Sequence, residues 1–284
     1  MTKPEAFNVL RGEDGGEDGG ELVVVADFAA TGRQAATFHD LVKLLDTTHT
    51  VWETAPVPWG QEAGMTGADQ AERWLDGIRG SGLKVRALLG FCGGGIYAGI
   101  MADRIAQWQD RPRLVLFDPG FAERRMLTEH VEGFYRRLAK AFTEEQLAAG
   151  RRRVAEASAA PGALELADRL GALFHEELRP AIVRAGWSER AADDGADLVN
   201  GYLHWLAGAV DLDPRPAWRA ADVLNSATPG IGLHIIPEGE RPAMFGTTRF
   251  FDVPHGDLLR TAEVAEAADA LLAGSARPRA DAQK

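Results

Sequence analysis

The stretch that decides the fold is Leu88-Leu89-Gly90-Phe91-Cys92-Gly93-Gly94-Gly95. The apolar run 84–89 predicts a strand that leads into it, and residues 96–108 predict a helix that leads out of it. One nucleophilic side chain, Cys92, therefore lies in a sharp turn between a strand and a helix. Glycines on both sides suit this turn, because its backbone is strained and neighbouring side chains would collide with the returning helix. The alternative is a buried structural cysteine before a glycine-rich helix start.

Composition narrows the classes of protein to consider. The chain has 284 residues, of which 45% are hydrophobic, enough for one large domain or a domain with an insertion. Its net charge of −11 argues against nucleic acid and anionic membrane surfaces as partners. No apolar run approaches the ~20 residues that span a bilayer, and the N-terminus has no signal-peptide pattern. We therefore expect a soluble cytoplasmic protein.

The single cysteine is informative in its own right. With only Cys92 present, an internal disulfide and a multi-cysteine metal site are both excluded. We expect no metal and no cofactor, and we expect the lone thiol to be reactive.

Strands and helices alternate through the first 120 residues. Strands are predicted at 21–27, 49–54, 84–89 and 113–117, and helices at 33–45, 68–78 and 96–108. This alternation predicts βαβ units and a mostly parallel, doubly wound α/β sheet. Residues 1–20, rich in glycine and acidic side chains, predict a disordered leader.

The pattern changes after residue 120. Residues 121–225 are helical by periodicity and predict a helical lid over the sheet. Strands return at 232–236 and 247–253, and a helix follows at 258–272. The predicted core is thus 21–120 and 226–275, with the lid at 121–225 and a frayed tail at 276–284. We expect an apolar acyl channel from lid residues Phe134, Tyr135, Phe142, Leu173, Phe174, Tyr202, Trp205 and Leu206.

A cysteine nucleophile needs a general base, and the base needs an orienting acid. Of the seven histidines, His255 is the best placed, because it directly follows the last predicted strand at the end of the sheet where such folds build their sites. Asp118 is the leading acid, since it ends the strand after the cysteine turn, although Asp-Pro-Gly is also ordinary turn chemistry. Glu238 and Glu240 remain competing acids.

The turn Gly90-Phe91-Cys92-Gly93-Gly94 resembles the G-x-S-x-G nucleophile elbow of α/β-hydrolases, with cysteine in the serine position. Over about residues 21–272 the chain resembles the thioesterase family of polyketide and nonribosomal peptide biosynthesis. Residues 114–118 resemble the family strand whose terminal aspartate completes the triad, and residues 253–259 resemble the segment that carries the catalytic histidine. The family usually has glycine before that histidine, and loop 28–32 lacks the usual Pro and Gly density of its first oxyanion loop.

This resemblance implies an α/β-hydrolase fold with a helical lid and a triad of Cys92, His255 and Asp118. It also implies an oxyanion hole formed by the backbone N–H groups of Gly93 and of Ala29 or Ala30. The substrate would be an acyl chain on the phosphopantetheine arm of an acyl or peptidyl carrier protein. That chain would move onto Cys92 and leave by hydrolysis, cyclisation, or amide or ester formation.

Two other functions stay open at this stage. A cysteine hydrolase similar to dienelactone hydrolase would share the elbow and the histidine, but that family lacks a long helical insertion after the next strand. A non-catalytic scaffold that binds acyl carriers is the alternative from another class, because a change from serine to cysteine can accompany loss of activity.

Overall fold

A computed structural model describes residues 5–12, 21–28, 35–57, 60–62 and 64–274. In this part of the chain seven strands form one sheet with the order β1-β3-β2-β4-β5-β6-β7. The strands are β1 Phe7–Arg11, β2 Leu22–Ala26, β3 Thr50–Thr54, β4 Val85–Phe91, β5 Arg113–Phe117, β6 Asp222–Asn225 and β7 Thr247–Phe250. Only the β1–β3 pair is antiparallel, which confirms the predicted mostly parallel sheet.

Helices cover both faces of the sheet. They are α1 Phe38–Leu44, α2 Gly67–Ser81, α3 Gly94–Ile105, α4 Arg124–Arg137, α5 Glu144–Ala157, α6 Ala163–Leu173, α7 Arg179–Arg184, α8 Glu189–Val210, α9 Arg215–Trp218, α10 Arg241–Met244 and α11 Ala262–Ala273. A π-helical turn, Phe174–Leu178, joins α6 to α7. In β4, Leu88 packs into the core under α2 and α3, and Leu89 packs into the core under α1 and α11. Burial on both faces explains why the central strands read as continuous apolar runs.

The strand register brings two chain reversals side by side. Phe91 at the end of β4 pairs with Phe117 at the end of β5. The next residues, Cys92 and Asp118, therefore leave the same edge of the sheet on neighbouring strands. This is the edge where open parallel sheets build their sites.

The N-terminal prediction is wrong in part. Phe7–Arg11, inside the predicted disordered leader 1–20, forms the edge strand β1. Its anchor is non-local, because the buried Phe7 ring lies 5.4 Å from the Trp52 ring on β3. Residues 13–20 and the predicted tail 276–284 lie outside the described residues.

The end of the predicted lid also needs correction. Helices α4 to α9 occupy 124–218, but β6 begins at Asp222, inside the interval 121–225 assigned to the lid. The predicted strand 232–236 is instead a 3₁₀ helix, Gly232–Ile235, whose first residue has a positive φ of 56°. Asn225 stabilises this turn, since its side-chain oxygen accepts a hydrogen bond of 2.7 Å from Leu233 N–H. The apolar run that begins at Gly232 therefore forms a 3₁₀ helix and not a strand, because the side chain of Asn225 binds its backbone.

Helix α8 is fixed against the helices beneath it. The Tyr97 hydroxyl of α3 donates a buried hydrogen bond of 2.7 Å to the carbonyl of Trp205, and Gln70 of α2 donates to the carbonyl of His204. Gly67 allows close contact, because a Cβ there would lie 2.1 Å from the carbonyl oxygen of Gly208. Helix α8 is therefore held in a defined place against α2 and α3. In the described part of the chain, no helix combines the length and apolar character needed to cross a membrane.

Candidate active site

The turn after β4 holds Cys92 in a strained conformation. Its φ is 50°, in the left-handed region that side chains other than glycine rarely adopt. The flanking glycines make this possible. A Cβ on Gly90 would lie 2.5 Å from the Cα of Gly95, and a Cβ on Gly94 would lie 2.0 Å from the carbonyl oxygen of Ala26. The predicted collision with the returning helix therefore holds for Gly90, whereas at Gly94 the collision is with the backbone of β2.

The backbone around Cys92 ties the turn to the sheet and the helix. Cys92 N–H donates a 2.9 Å hydrogen bond to the carbonyl of Phe117, and the Cys92 carbonyl accepts one of 3.1 Å from Gly95 N–H. The thiol residue is partly exposed and lies at the start of α3, next to the N-cap residue Gly93. The positive end of a helix favours an anion at this position, whether a thiolate or an oxyanion.

The structure brings His255 and Asp118 together. His255 Nδ1 lies 2.7 Å from Asp118 Oδ2, and the Asp118 side chain is fully buried. The other carboxylate oxygen of Asp118 accepts a 2.7 Å hydrogen bond from Ser226 N–H. Because an ionised carboxylate only accepts hydrogen bonds, Nδ1 carries the proton and Nε2 is left to accept one.

Two further contacts orient the imidazole. The backbone N–H of His255 donates a 2.7 Å hydrogen bond to the Thr228 hydroxyl. The Phe91 ring stacks on the imidazole with centroids 4.7 Å apart and planes 15° apart. Phe91 directly precedes Cys92, so the same turn that presents the thiol also supports the imidazole.

The competing acids lie elsewhere. Glu238 and Glu240 are exposed on a separate 3₁₀ helix, Glu238–Glu240. His234, expected within a strand, is exposed, and its Nε2 lies 2.9 Å from the carbonyl oxygen of Ser226. It thus contacts the loop whose backbone supports Asp118.

Cys92 and His255 line the same cavity of about 320 Å³, which we call the front cavity. Its lining residues are Asp27, Phe28, Ala35, Phe91, Cys92, Gly93, Met126, Tyr202, Trp205, Leu206 and His255. The lining is mostly apolar, and α8 supplies one wall. Gly93 lies close to this wall, since a Cβ on it would be 3.4 Å from the Trp205 ring.

The predicted acyl channel is only partly present. Tyr202, Trp205 and Leu206 line the front cavity. The other predicted channel residues, Phe134, Tyr135, Phe142, Leu173 and Phe174, do not line it and pack among the helices between β5 and β6. Phe134 and Phe174, for example, make an edge-to-face contact of 4.8 Å. Helical periodicity cannot separate residues that line a cavity from residues that join two helices.

Sequence reasoning missed several residues of the front cavity, among them Asp27, Phe28, Ala35 and Met126. Asp27 is a buried carboxylate directly after β2, and one of its oxygens accepts a 2.8 Å hydrogen bond from Phe28 N–H. A polar residue at the end of a buried strand was the available signal. Phe28 and Met126 carried no comparable signal. The predicted oxyanion residues Ala29 and Ala30 lie outside the described residues.

Behind the cavity wall lies a histidine with a perturbed pKa. Burial lowers the pKa of His130 to about 4, and the positive charge of Arg137 contributes to the decrease. The His130 ring lies 4.5 Å from the ring of Tyr202, which lines the front cavity. A neutral imidazole therefore supports this wall at neutral pH.

No protein-family model matches the sequence, and no curated protein matches it. Solved structures do resemble the fold. The Vlm2 thioesterase domain, bound with a dodecadepsipeptide, is 17% identical, with 95% of this chain and 98% of that chain covered and a TM-score of 0.51. MGS-M2, an α/β-hydrolase enzyme from a Medee basin deep-sea metagenome library, is 12% identical over 94% and 91%, with a TM-score of 0.51. A carboxylesterase structure from Nitrososphaera gargenis is 12% identical over 96% and 97%, with a TM-score of 0.56. The chain therefore has the α/β-hydrolase fold.

Proposed function

We propose that this protein is a thioesterase-like acyl transferase in which Cys92 is the nucleophile, His255 the general base and Asp118 the orienting acid. The observation that carries the proposal is the placement of Cys92 and His255 around one cavity, with Asp118 bound to His255. Cys92 lies in a strained turn, and the cavity that it lines also holds the imidazole that is hydrogen-bonded to the buried carboxylate of Asp118. This is the constellation that nucleophilic acyl transfer requires.

The first half-reaction moves the acyl group onto the protein. His255 Nε2 takes the thiol proton, and the Cys92 thiolate attacks the carbonyl carbon of an acyl thioester. The tetrahedral intermediate collapses, the bond to the substrate sulfur breaks, and His255 gives its proton to the departing thiolate, which leaves as the free thiol. The N–H of Gly93 stabilises the oxyanion, with a second N–H expected from Ala29 or Ala30.

The second half-reaction releases the product. His255 takes a proton from water, an amine or a hydroxyl, which then attacks the acyl carbon. The bond to Cys92 breaks, and the thiolate recovers its proton from His255. Because acyl-Cys92 is itself a thioester, the first transfer is nearly balanced in energy and the acyl group stays activated. The apolar lining of the front cavity favours a bound acceptor over bulk water.

The class of substrate follows from the cavity and from one neighbour. An apolar cavity of about 320 Å³ beside the nucleophile suits an acyl chain better than a highly charged substrate. A thioesterase domain of the same fold binds a dodecadepsipeptide. We infer that the acyl chain reaches Cys92 as a thioester on the phosphopantetheine arm of an acyl or peptidyl carrier protein.

Turnover of an acyl-N-acetylcysteamine thioester, which mimics the end of that arm, tests the proposal. We expect Cys92-dependent release of the free thiol, faster product formation when an amine acceptor is added, and loss of both in Cys92→Ala. The matched control is Asp252→Asn, an exposed carboxylate three residues before His255, which should keep wild-type rates. Thioester consumption that persists in Cys92→Ala would refute the proposal, and so would a wild-type protein that consumes none.

A further inference from the structure

A second cavity lies on another face of α8, which we call the rear cavity. Its volume is about 310 Å³, at the lower end of the range for small-molecule sites, roughly 300–1,000 Å³. Helix α8 contributes Asn200 and His204 to it, and contributes Tyr202, Trp205 and Leu206 to the front cavity. None of the described residues lines both cavities, so the rear cavity is a separate site.

A buried carboxylate lines the rear cavity. Glu62 is only 4% exposed, and its Oε1 accepts a 2.6 Å hydrogen bond from the side-chain amide of Asn200. Its Oε2 is shielded from solvent and has no hydrogen-bond partner in the described part of the chain. A buried carboxylate oxygen without a partner is costly, so its retention points to a ligand that reaches it after a small shift of the side chain and supplies the missing donor.

The packing around Glu62 is specific. A Cβ on Gly171 of α6 would lie 2.0 Å from Asn200 Oδ1, so only glycine at position 171 leaves room for this amide. Asn200 is itself 6% exposed. The close approach of α6 and α8 thus fixes the amide that holds Glu62, and the carboxylate is held in a defined place.

The neighbouring histidine does not neutralise Glu62. His204 Nδ1 lies 3.0 Å from the carbonyl oxygen of Asn200, and its Nε2 lies 2.8 Å from Asp168 Oδ1. Both ring nitrogens of His204 therefore have partners other than Glu62, and the carboxylate of Glu62 is left with Asn200 as its only hydrogen-bond partner among the described residues.

A further carboxylate, Asp197, lies beside the rear cavity. His175, which also lines the rear cavity, lies 3.9 Å from Asp197. Burial raises the pKa of Asp197, and the negative charge of Glu62 adds to that increase. In the described residues no group of three or more His, Cys, Asp and Glu side chains is arranged to hold a metal ion. A carboxylate oxygen that lacks a donor is matched by an organic cation that carries N–H groups.

We propose that the rear cavity binds a small organic cation, a primary ammonium or a guanidinium group, through a charge-assisted hydrogen bond to Glu62. The pair His204–Asp168, Gly60 and Gly171 border the rest of the site. The site is independent of acyl transfer, because Glu62 does not line the front cavity.

Calorimetric titration with benzylammonium tests this site, with benzyl alcohol as a neutral probe of similar shape. We expect benzylammonium to bind at least about tenfold more tightly than benzyl alcohol, the smallest gain expected when charged groups form the hydrogen bond. Glu62→Gln keeps an acceptor for Asn200 but removes the charge, and it should remove this preference. Glu156→Gln, the same change at an exposed position on α5, should bind as wild type does.

Two further measurements show whether the ligand occupies the rear cavity and whether Glu62 binds it directly. Protein alkylated at Cys92 with iodoacetamide should bind benzylammonium unchanged, because the alkyl group fills only the front cavity. Glu62→Gln should unfold at the same or a higher temperature than wild type without ligand, because the change relieves a buried charge. No binding by wild type, equal binding of the two probes, unchanged binding by Glu62→Gln, or loss of binding on alkylation would each overturn the proposal.

Discussion

Replacing Asp118 with asparagine should inactivate His255 through its tautomer. Ser226 N–H donates to Asp118 Oδ1 at 2.7 Å, so the carbonyl oxygen of an asparagine will take the Oδ1 position. Its NH₂ group must then face His255 Nδ1 in place of Oδ2, which now lies 2.7 Å from it. Two donors cannot share that contact, so the proton moves to Nε2, and the nitrogen needed by Cys92 can no longer accept.

The size of the effect follows from the chemistry of the nucleophile. The corresponding change in a serine triad lowers turnover by roughly 10⁴-fold. A thiol at a helix N-terminus ionises more readily than a serine hydroxyl and depends less on its base. We therefore expect Asp118→Asn to slow acylation of Cys92 by about 10²–10³-fold, or about 3–4 kcal/mol in activation free energy.

Single-turnover acylation by an acyl-N-acetylcysteamine thioester, followed across pH, measures this directly. The exposed control Asp252→Asn should acylate at the wild-type rate. An Asp118→Asn protein that folds normally and acylates within about threefold of wild type would refute the tautomer argument, since about 0.6 kcal/mol is too small for a lost orienting acid. Loss of activity in Glu238→Gln instead would move the role to that residue.

Three further outcomes are expected. Gly94→Ala should lower the free energy of unfolding by about 2 kcal/mol or more, because the added Cβ would lie 2.0 Å from the Ala26 carbonyl oxygen. Thermal unfolding should show no such loss in the control Gly120→Ala, because nothing lies within 4 Å of a Cβ at position 120. The pKa of His130 is about 4 in the fold, below the unfolded value of ~6.5. As the pH falls between these values only the unfolded state gains a proton, so up to about 3 kcal/mol of stability is lost. Chemical denaturation against pH should show this loss flattened in His130→Phe. Cys92→Ser should acylate slowly and accumulate a stalled ester or shift towards hydrolysis, visible as a persistent mass adduct or a higher ratio of acid to amide product; rapid turnover with an unchanged product ratio would contradict the role assigned to the thiol.

The residues proposed for the site carry local sequence signals. Gly90 and Gly94 mark the strained turn, and Asp118, with a φ of 46°, ends its strand in a turn of the same kind. His255 was placed by its position after the last strand. Each inference needed only the rule that neighbouring parallel strands end at one edge of the sheet.

The elements that sequence reasoning misplaced depend on distant contacts. Strand β1 exists because Phe7 packs on Trp52, more than forty residues away. The apolar run beginning at Gly232 turns into a 3₁₀ helix because the Asn225 side chain accepts from Leu233 N–H. Neither partner is visible in a local window, and tertiary contacts override intrinsic strand preference in such short runs.

The cavity walls were the least predictable feature. Trp205 and Phe174 are both apolar residues on helices of the same insertion, yet one lines the front cavity and the other packs against Phe134. The choice depends on how α8 is held by the Tyr97 hydroxyl and Gln70 of the helices beneath it. Those hydrogen bonds reach more than a hundred residues along the chain.

The central claim is that Cys92 carries the acyl group, and intact-protein mass spectrometry tests it most directly. After rapid mixing with hexanoyl-N-acetylcysteamine and quenching in acid, we predict that wild type gains the mass of one hexanoyl group. Peptide mapping should place that group on Cys92, and Cys92→Ala should gain nothing. Thioester consumption without any adduct on Cys92, or an equal adduct on Cys92→Ala, would contradict the account.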